Sequence, residues 1–332
     1  MIYIEPFSTD AAFNIAAEEY ITRYFSAGSD LPVFMFWQTD KCVIFGRNQI
    51  AAAEIDLRAA DSLGINIVRR ASGGGAVFSD PGNIMYTLVS PFSAGGDPKQ
   101  IEREQFAEPM ARALRKMGVP AVVEGRNDIT ADGKKFSGLA QYAVKNRLCS
   151  HGTLLFGSDL DMLARILKPD PGKINSKALK SVRARVVNLR EYFEPAISAA
   201  EFLQRLKFYL FEGIQTQNYE FNEYDIERIN TIRAEKYANP DWTVGASPRF
   251  TAQYSQRFPA GKIEVFLDVE RGIIKTCRIC GDFLGILPAR DIEKTLENQP
   301  HDYAALSSAL SKTDLRLYFG DIGREQLLEC LF

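Results

Sequence analysis

Arg69-Arg70-Ala71-Ser72-Gly73-Gly74-Gly75-Ala76-Val77-Phe78-Ser79-Asp80-Pro81-Gly82-Asn83 is the stretch on which the reading of this chain turns. Two arginines enter a triple-glycine turn, and an apolar strand leaves it. The run follows a short β-branched stretch, Ile65-Asn66-Ile67-Val68. Glycine has no Cβ, so three in a row let the backbone turn sharply and lie flat against a ligand. Successive backbone N–H groups in such a turn converge on an anion, and a neighbouring arginine adds a forked, permanently charged donor. The stretch therefore predicts a site for a phosphorylated or acylated ligand. A glycine-rich hairpin with a surface arginine pair is the plainer alternative.

Known nucleotide motifs do not decide between the two. The chain has no G-x-x-x-x-G-K-[ST] phosphate loop. Gly73 and Gly75 begin a G-x-G-x-x-G, but Phe78 takes the last glycine position. Gly75-Ala76-Val77-Phe78 reads as strand where a dinucleotide fold needs a helix. A nucleotide bound here is held by a different architecture.

Composition sets the outer limits. A length of 332 residues favours two domains or one large one, and a 46% hydrophobic content supplies a sizeable core. A formal charge of −2 argues against a nucleic-acid partner held by bulk positive charge. No stretch approaches a membrane span, and the N-terminus lacks a basic and apolar signal region, so a soluble, cytoplasmic protein is expected. The five cysteines, Cys42, Cys149, Cys277, Cys280 and Cys330, are too scattered for a secreted disulfide framework. Cys277 and Cys280 form a lone C-x-x-C inside an apparent strand. There they point to opposite faces roughly 10 Å apart, unsuited to a disulfide or to one metal ion. With only His151 and His301 besides, the sequence argues against zinc.

Along the chain, Thr9 is positioned to cap a helix from Asp10 to about Phe25, with Phe13, Ala16, Ala17, Tyr20 and Tyr24 on one face. Strands are expected at 33–37, 42–46, 65–68 and 83–89. Helices are expected at 54–62 and 99–117, the second closed by Gly118. Strands return at 121–124 and 128–130. Asp132-Gly133 marks a tight hairpin turn into a strand from Lys134, followed by another at 151–156. A short helix at 161–167 and helices at 198–211 and 223–236 follow. The breaker-rich 237–248 stretch reads as a linker, dividing residues 1–244 from 245–332. Beyond it strands are expected at 250–257, 261–269 and 272–281, helices near 289–298, 302–311 and 323–331, and one more strand at 314–318. Strands without regular βαβ alternation predict an α/β protein of the α+β type. A mixed sheet carries packed helices, and a small α+β unit follows.

Three further places carry reactive residue types: Gly125-Arg126-Asn127-Asp128-Ile129, Gly133-Lys134-Lys135-Phe136-Ser137-Gly138, and His151-Gly152-Thr153. Singly, each has a plain explanation as turn former, solvated turn or core histidine. The order Arg70, triple glycine, Asn83, Asp128, Lys135, His151 resembles the lipoate–protein ligase family. The resemblance is carried by Asn14-Ile15-Ala16-Ala17-Glu18-Glu19, Val43-Ile44-Phe45-Gly46-Arg47-Asn48-Gln49, Arg69 to Asn83, Lys135-Phe136-Ser137-Gly138-Leu139-Ala140, His151-Gly152-Thr153-Leu154-Leu155, and Lys177 to Leu189. The stretch 242–250 and Cys280-Gly281-Asp282-Phe283 resemble the family's junction and accessory domain, so nearly the whole chain is covered.

The resemblance implies a mixed-sheet catalytic domain shared with biotin ligases, and a monomer is the expectation. It implies that lipoate and MgATP give lipoyl-adenylate and pyrophosphate. The acyl group then passes to a lysine of a 2-oxoacid dehydrogenase E2 lipoyl domain or of the glycine cleavage H protein, with no tightly bound prosthetic group. By resemblance Lys135 contacts both the acyl carbonyl and the adenylate phosphate. Arg70, Gly75, Ala76, Val77 and Phe78 belong to the ATP site, with Asn83 and Asp128 on the pyrophosphate side and Asp128 a candidate magnesium ligand. Ser72, Gly73, Gly74 and His151 border the acyl channel. Lys177, Lys180, Ser181 and Arg183 belong to a loop that covers the adenylate. Two positions depart from the family: Ala178 where relatives often carry glycine, and Leu139 where a small polar residue is common.

Physics agrees with this assignment. Adenylation builds negative charge on phosphoryl oxygens, which fixed cations and backbone donors stabilise. The attacking lysine belongs to the acceptor, so the enzyme needs no nucleophile of its own. Two alternatives stay open: an ATP-independent octanoyl or lipoyl transferase, or amidotransferase, using Cys149 as a thioester nucleophile, and a non-catalytic lipoyl relay protein. As a small buried apolar residue Cys149 has a simpler explanation.

Overall fold

The computed structural model describes residues 1–5, 8–25, 31–93, 96–125, 127–167, 185–243 and 251–331. Its main sheet is mixed and eight-stranded, in the order β11-β1-β2-β6-β10-β9-β8-β7. The strands are β1 (Ile2–Ile4), β2 (Val33–Trp37), β6 (Asn83–Pro91), β7 (Ala121–Glu124), β8 (Asp128–Ala131), β9 (Lys134–Val144), β10 (Arg147–Leu155) and β11 (Gln217–Tyr219). β11, β1 and β2 run parallel, and every pairing from β2 through β6, β10, β9 and β8 to β7 is antiparallel. A smaller sheet sets β3 (Cys42–Phe45) between β4 (Asn66–Arg69) and β5 (Val77–Ser79). The glycine loop joins β4 to β5, which are not neighbours, so it is not a hairpin turn. It crosses over the end of β3, where Arg70 N donates to Phe45 O at 3.0 Å and Arg47 N to Ser72 O at 2.8 Å.

The helix Ala11–Arg23 lies in the interior, with every residue from Ala11 to Thr22 buried. Asp10, not Thr9, caps it: its carboxylate accepts from Ala12 N and Phe13 N, while Thr9 donates its hydroxyl to Asp40. A charged carboxylate satisfies the unpaired amides of a first turn well. Tyr24, expected on the buried face, is 52% exposed because the helix ends at Arg23. The helix expected at 54–62 is two short pieces, Ala51–Glu54 and Leu57–Ser62, separated where Asp56 starts a new cap. The helix expected at 99–117 holds a π-helical turn, Glu102–Ala107, between α-helical Pro98–Ile101 and Glu108–Lys116. No helix among the described residues is long and apolar enough to cross a membrane.

The C-terminal unit has its own core, built on the antiparallel sheet β12 (Ala252–Phe258), β13 (Gly261–Glu270) and β14 (Ile273–Gly281). Helices Ala289–Leu296, Tyr303–Ala309 and Arg324–Glu329 complete it. The strand expected at 314–318 is instead a helical turn, Arg316–Phe319. Asp314 starts it by accepting from Arg316 N, and Gly320, at φ 71°, ends it. Cys277 packs into this core, while Cys280 is buried outside it, and both thiols are free. The 244/245 division falls at residues outside those described.

Candidate active site

The two arginines that open the glycine stretch do different work. Arg69 is a brace. Its guanidinium donates to the carbonyls of Gln49 (2.6 Å), Arg47 (2.9 Å), Trp242 (2.7 Å) and Thr243 (3.0 Å), and lies over the Phe45 ring. Trp242 returns an indole N–H to Arg69 O at 2.8 Å. Arg70 is buried under the loop itself. It donates to Gly73 O (2.6 Å), Gly75 O (2.8 Å), Ile44 O (3.2 Å) and Ser72 Oγ (3.0 Å). These bonds fix the loop's shape around a cation. Burial pushes the Arg70 guanidinium down to about 10, which leaves it charged at neutral pH.

Beyond the loop lies a cavity walled by three layers. The interior helix gives it Ile15 and Glu18, while β2, β3 and β6 give Trp37, Ile44 and Met85. The loop contributes Arg70, Gly74, Gly75, Ala76 and Val77. β9 and β10 close it with Lys135, Gly138, Leu139, Ala140, His151, Gly152 and Thr153. The lining thus combines apolar and indole side chains with a lysine and the glycine loop. An aliphatic chain fits the first, at about 0.8 kcal/mol per buried methylene, and an anion the second.

Lys135 reaches the cavity through a local irregularity. The turn before it has positive φ at both central residues, Asp132 (49°) and Gly133 (71°), as a tight hairpin requires. The register then slips between Ile129 and Thr130, whose partners are Ser137 and Lys135, leaving Phe136 as the extra residue of a bulge. Phe136 goes into the core, fully buried. The Lys135 ammonium pairs with Asp128 Oδ1 at 2.7 Å. It folds back over Gly138, where a Cβ would stand 2.9 Å from Nζ. Asn127, which also lines the cavity, ties the strands by bonds with Leu139 in both directions. Arg185 O accepts from Lys135 N at 2.8 Å, and Val187 N donates to Lys135 O at 3.0 Å.

A buried polar chain crosses the opposite wall. Trp37 Nε1 donates to Thr87 Oγ1 (3.0 Å), and Thr87 donates to Glu18 Oε1 (2.5 Å). His151 Nδ1 lies 3.0 Å from Glu18 Oε2, and its Nε2 lies 2.6 Å from Ser72 Oγ. Ser72 Oγ also accepts from Arg70 Nε at 3.0 Å, so the chain runs on into the glycine loop.

Of the residues expected from sequence, the fold brings together Arg70, Gly74, Gly75, Ala76, Val77, Lys135 and His151 on one cavity. Ser72 is fully buried and reaches that cavity through His151, and Asp128 reaches it through Lys135. Gly73 faces the C-terminal unit: a Cβ there would stand 2.4 Å from Phe283 O, which also accepts from Gly74 N. Phe78 is a core side chain. Asn83 is fully buried outside the cavity wall, 3.4 Å from Ser79 Oγ. Lys177, Lys180, Ser181 and Arg183 lie outside the described residues. Sequence reasoning assigned no role to Glu18, Trp37 or Gly138. The signal for Glu18 was its place in the Asn14-Ile15-Ala16-Ala17-Glu18-Glu19 stretch.

Comparisons with known proteins identify the family. The family described as lipoyl protein ligase A/B catalytic domain matches residues 10–211, and bacterial lipoate protein ligase C-terminus matches residues 247–331. Lipoate-protein ligase LplJ of Bacillus subtilis is 36% identical over 326 residues, covering 97% of each chain. Lipoate–protein ligase 1 of Staphylococcus aureus is 36% identical over 324 residues, again covering 97% of each. Among solved structures, P. falciparum LipL1 in complex with lipoate has a TM-score of 0.78 at 22% identity, covering 99% of this chain and 97% of that one, a likeness of fold. A bipartite lipoate protein ligase from Thermoplasma acidophilum, described with its E2 lipoyl domain, has a TM-score of 0.67 at 28% identity, covering 76% of this chain and 98% of that one. Lipoate-protein ligase A bound with ATP has a TM-score of 0.63 at 27% identity, covering 74% and 99%. The match of both family descriptions along one chain, with full-length relatives above 30% identity, places this protein in the lipoate–protein ligase family.

Proposed function

We propose that this protein, an ATP-dependent lipoate–protein ligase by family, runs both half-reactions in the cavity between the glycine loop and β9–β10. The observation that carries this reading is that Lys135, the loop residues Gly75, Ala76 and Val77, and the apolar side chains of Trp37, Ile44, Met85 and Leu139 line one cavity. Lipoate lies with its ring and chain among Trp37, Ile44, Met85 and Leu139, and its carboxylate near Lys135. A carboxylate oxygen attacks the α-phosphorus of ATP, and the bond to the pyrophosphate oxygen breaks. The Lys135 ammonium offsets charge on the acyl and phosphoryl oxygens, and Arg70 holds the loop against the nucleotide. A lysine amine of the acceptor then attacks the acyl carbon, and AMP leaves. One cation placed beside the mixed anhydride serves both steps.

The acceptor is an E2 lipoyl domain or a glycine cleavage H protein, residues 1–244 form the catalytic unit and 245–332 the accessory one, and the protein acts as a cytoplasmic monomer. Magnesium arrives with ATP; Asp128 already holds Lys135 at 2.7 Å, which favours a role in setting the amine over one as a metal ligand. A thioester route through Cys149 finds no support in its placement. That side chain is fully buried, and burial raises its thiol well above the ordinary value.

The test is the intact mass of a purified apo lipoyl domain after incubation with the protein, lipoate and MgATP. A lipoyl-sized gain that needs ATP and survives Cys149→Ala supports the ligase. A gain without ATP that Cys149→Ala abolishes overturns it in favour of the transferase.

A further inference from the structure

The sequence speaks against a thiophilic metal because its cysteines and histidines are scattered, yet folding gathers three donors at one point. Cys149 and His151 stand two residues apart on β10 and share a face of that strand. The interior helix lays Glu18 against them. A carboxylate oxygen of Glu18, the sulfur of Cys149 and a ring nitrogen of His151 all lie within 4.8 Å of one another, and all three residues are buried. Glu18 and His151 line the cavity.

We propose that Glu18, Cys149 and His151 form a site for a thiophilic divalent cation of the zinc and cadmium class, and that its occupation excludes the acyl substrate from the cavity. The exclusion rests on the ligase reading above; the metal site does not.

One sulfur, one nitrogen and one oxygen are the donor set of a borderline-soft, tetrahedral cation, with a fourth position left for water on the cavity side. Bonds of about 2.0–2.3 Å place such donors roughly 3.3–3.8 Å apart, within reach of small side-chain adjustments here. The supporting shell already exists: Thr87 donates to Glu18 at 2.5 Å, and Ser72 Oγ lies 2.6 Å from His151 Nε2. On binding, the ion sits between His151 Nδ1 and Glu18, and the imidazole carries its one proton on Nε2, where Ser72 Oγ accepts it. The Cys149 thiol loses its proton to solvent. A dication then faces one carboxylate and one thiolate, a neutral set, with one proton released per ion.

The test is a cadmium titration of the full-length protein, followed by the ultraviolet sulfur-to-cadmium charge-transfer band, in wild type, Cys149→Ser and Glu18→Gln. Circular dichroism of each variant establishes that it is folded, and Cys149→Ala replaces the serine variant if that one is not. The expected result is a saturable band of one equivalent that the cysteine variant lacks. Glu18→Gln should keep the band but bind at least about 10-fold more weakly, since loss of a mere outer-shell partner already costs that much. Lipoate should displace the ion, and zinc should raise the apparent KM for lipoate in wild type but not in Cys149→Ser, whose metal-free rate is unchanged. An equal band in the cysteine variant assigns the cadmium to other thiols and overturns the site. A Cys149-dependent band that lipoate leaves intact overturns the exclusion alone. Failure of the metal-free wild type to lipoylate anything strikes the ligase reading, and the cadmium band still decides the site.

Discussion

His151 Nδ1 lies 3.0 Å from the Glu18 carboxylate, joining β10 to the interior helix across 133 residues of sequence. Glu18 also accepts from Thr87, so its removal leaves two buried donors without an acceptor. Glu18→Ala should lower stability by about 1–3 kcal/mol, read from denaturant melts. Glu18→Gln keeps an acceptor for Thr87 and should cost less. Both should raise KM for lipoate more than they lower kcat, because the polar chain shapes the cavity wall and carries no cation for the phosphoryl oxygens.

Lys135→Met tests the cation itself. Its ammonium is partly exposed and pairs with Asp128, so the fold should tolerate the change. Loss of a charge aimed at the developing oxyanion should lower lipoyl-adenylate formation by about 100-fold or more, read as pyrophosphate release. A variant within a few-fold of wild type would remove Lys135 from the centre of the mechanism.

Gly138→Ala tests placement rather than charge. Its Cβ would stand 2.9 Å from Lys135 Nζ, so the amine must move while the strand keeps its backbone. A shift of about 1 Å at a reacting group costs on the order of 100-fold in rate. Turnover should therefore fall tens-fold with little change in melting temperature.

Gly73→Ala addresses the seam between the two units. Its Cβ would stand 2.4 Å from Phe283 O, a backbone atom that must shift. The variant should lose about 1–3 kcal/mol of stability, as overpacking does. Faster limited proteolysis between the units, compared with Gly138→Ala, should place the damage at the seam.

Glu102, in the π-helical turn, supplies a pH prediction. Burial pushes its carboxyl up from 4.5 to about 7, against the opposing pull of Lys99. Between those values the folded state binds the proton that the unfolded state has released. Stability from this group is complete below about 4.5 and declines as pH rises through about 7. Glu102→Gln should flatten the fall in melting temperature between those limits.

The glycine loop, the Asp132-Gly133 turn and most strands were legible because turn chemistry and β-branched runs are local signals. Lys135 and His151, which the fold sets on one cavity, were singled out by their order along the chain. Glu18 was not assigned, since local pattern does not show which face of a helix buried on all sides meets a histidine on β10. Gly138 was hidden for a similar reason: only the bulge at Phe136 reveals that an ammonium lies above it. The strand expected at 314–318 failed because Asp314 and Gly320 bracket a helical turn, and these end signals outweigh the β-type residues between them.

The three consecutive glycines answer to three different neighbours. Gly73 is confined by Phe283 O, and Gly74 by its φ of 86° and by Arg70 and Leu284. A Cβ at Gly75 would meet nothing within 4 Å, and Gly75 lines the cavity. The first two are therefore fixed by the protein's own architecture, whereas the third is open to redesign. A saturation library at Gly75 would sample ligand shape with the scaffold held constant, making it the natural starting point for altering what this enzyme accepts.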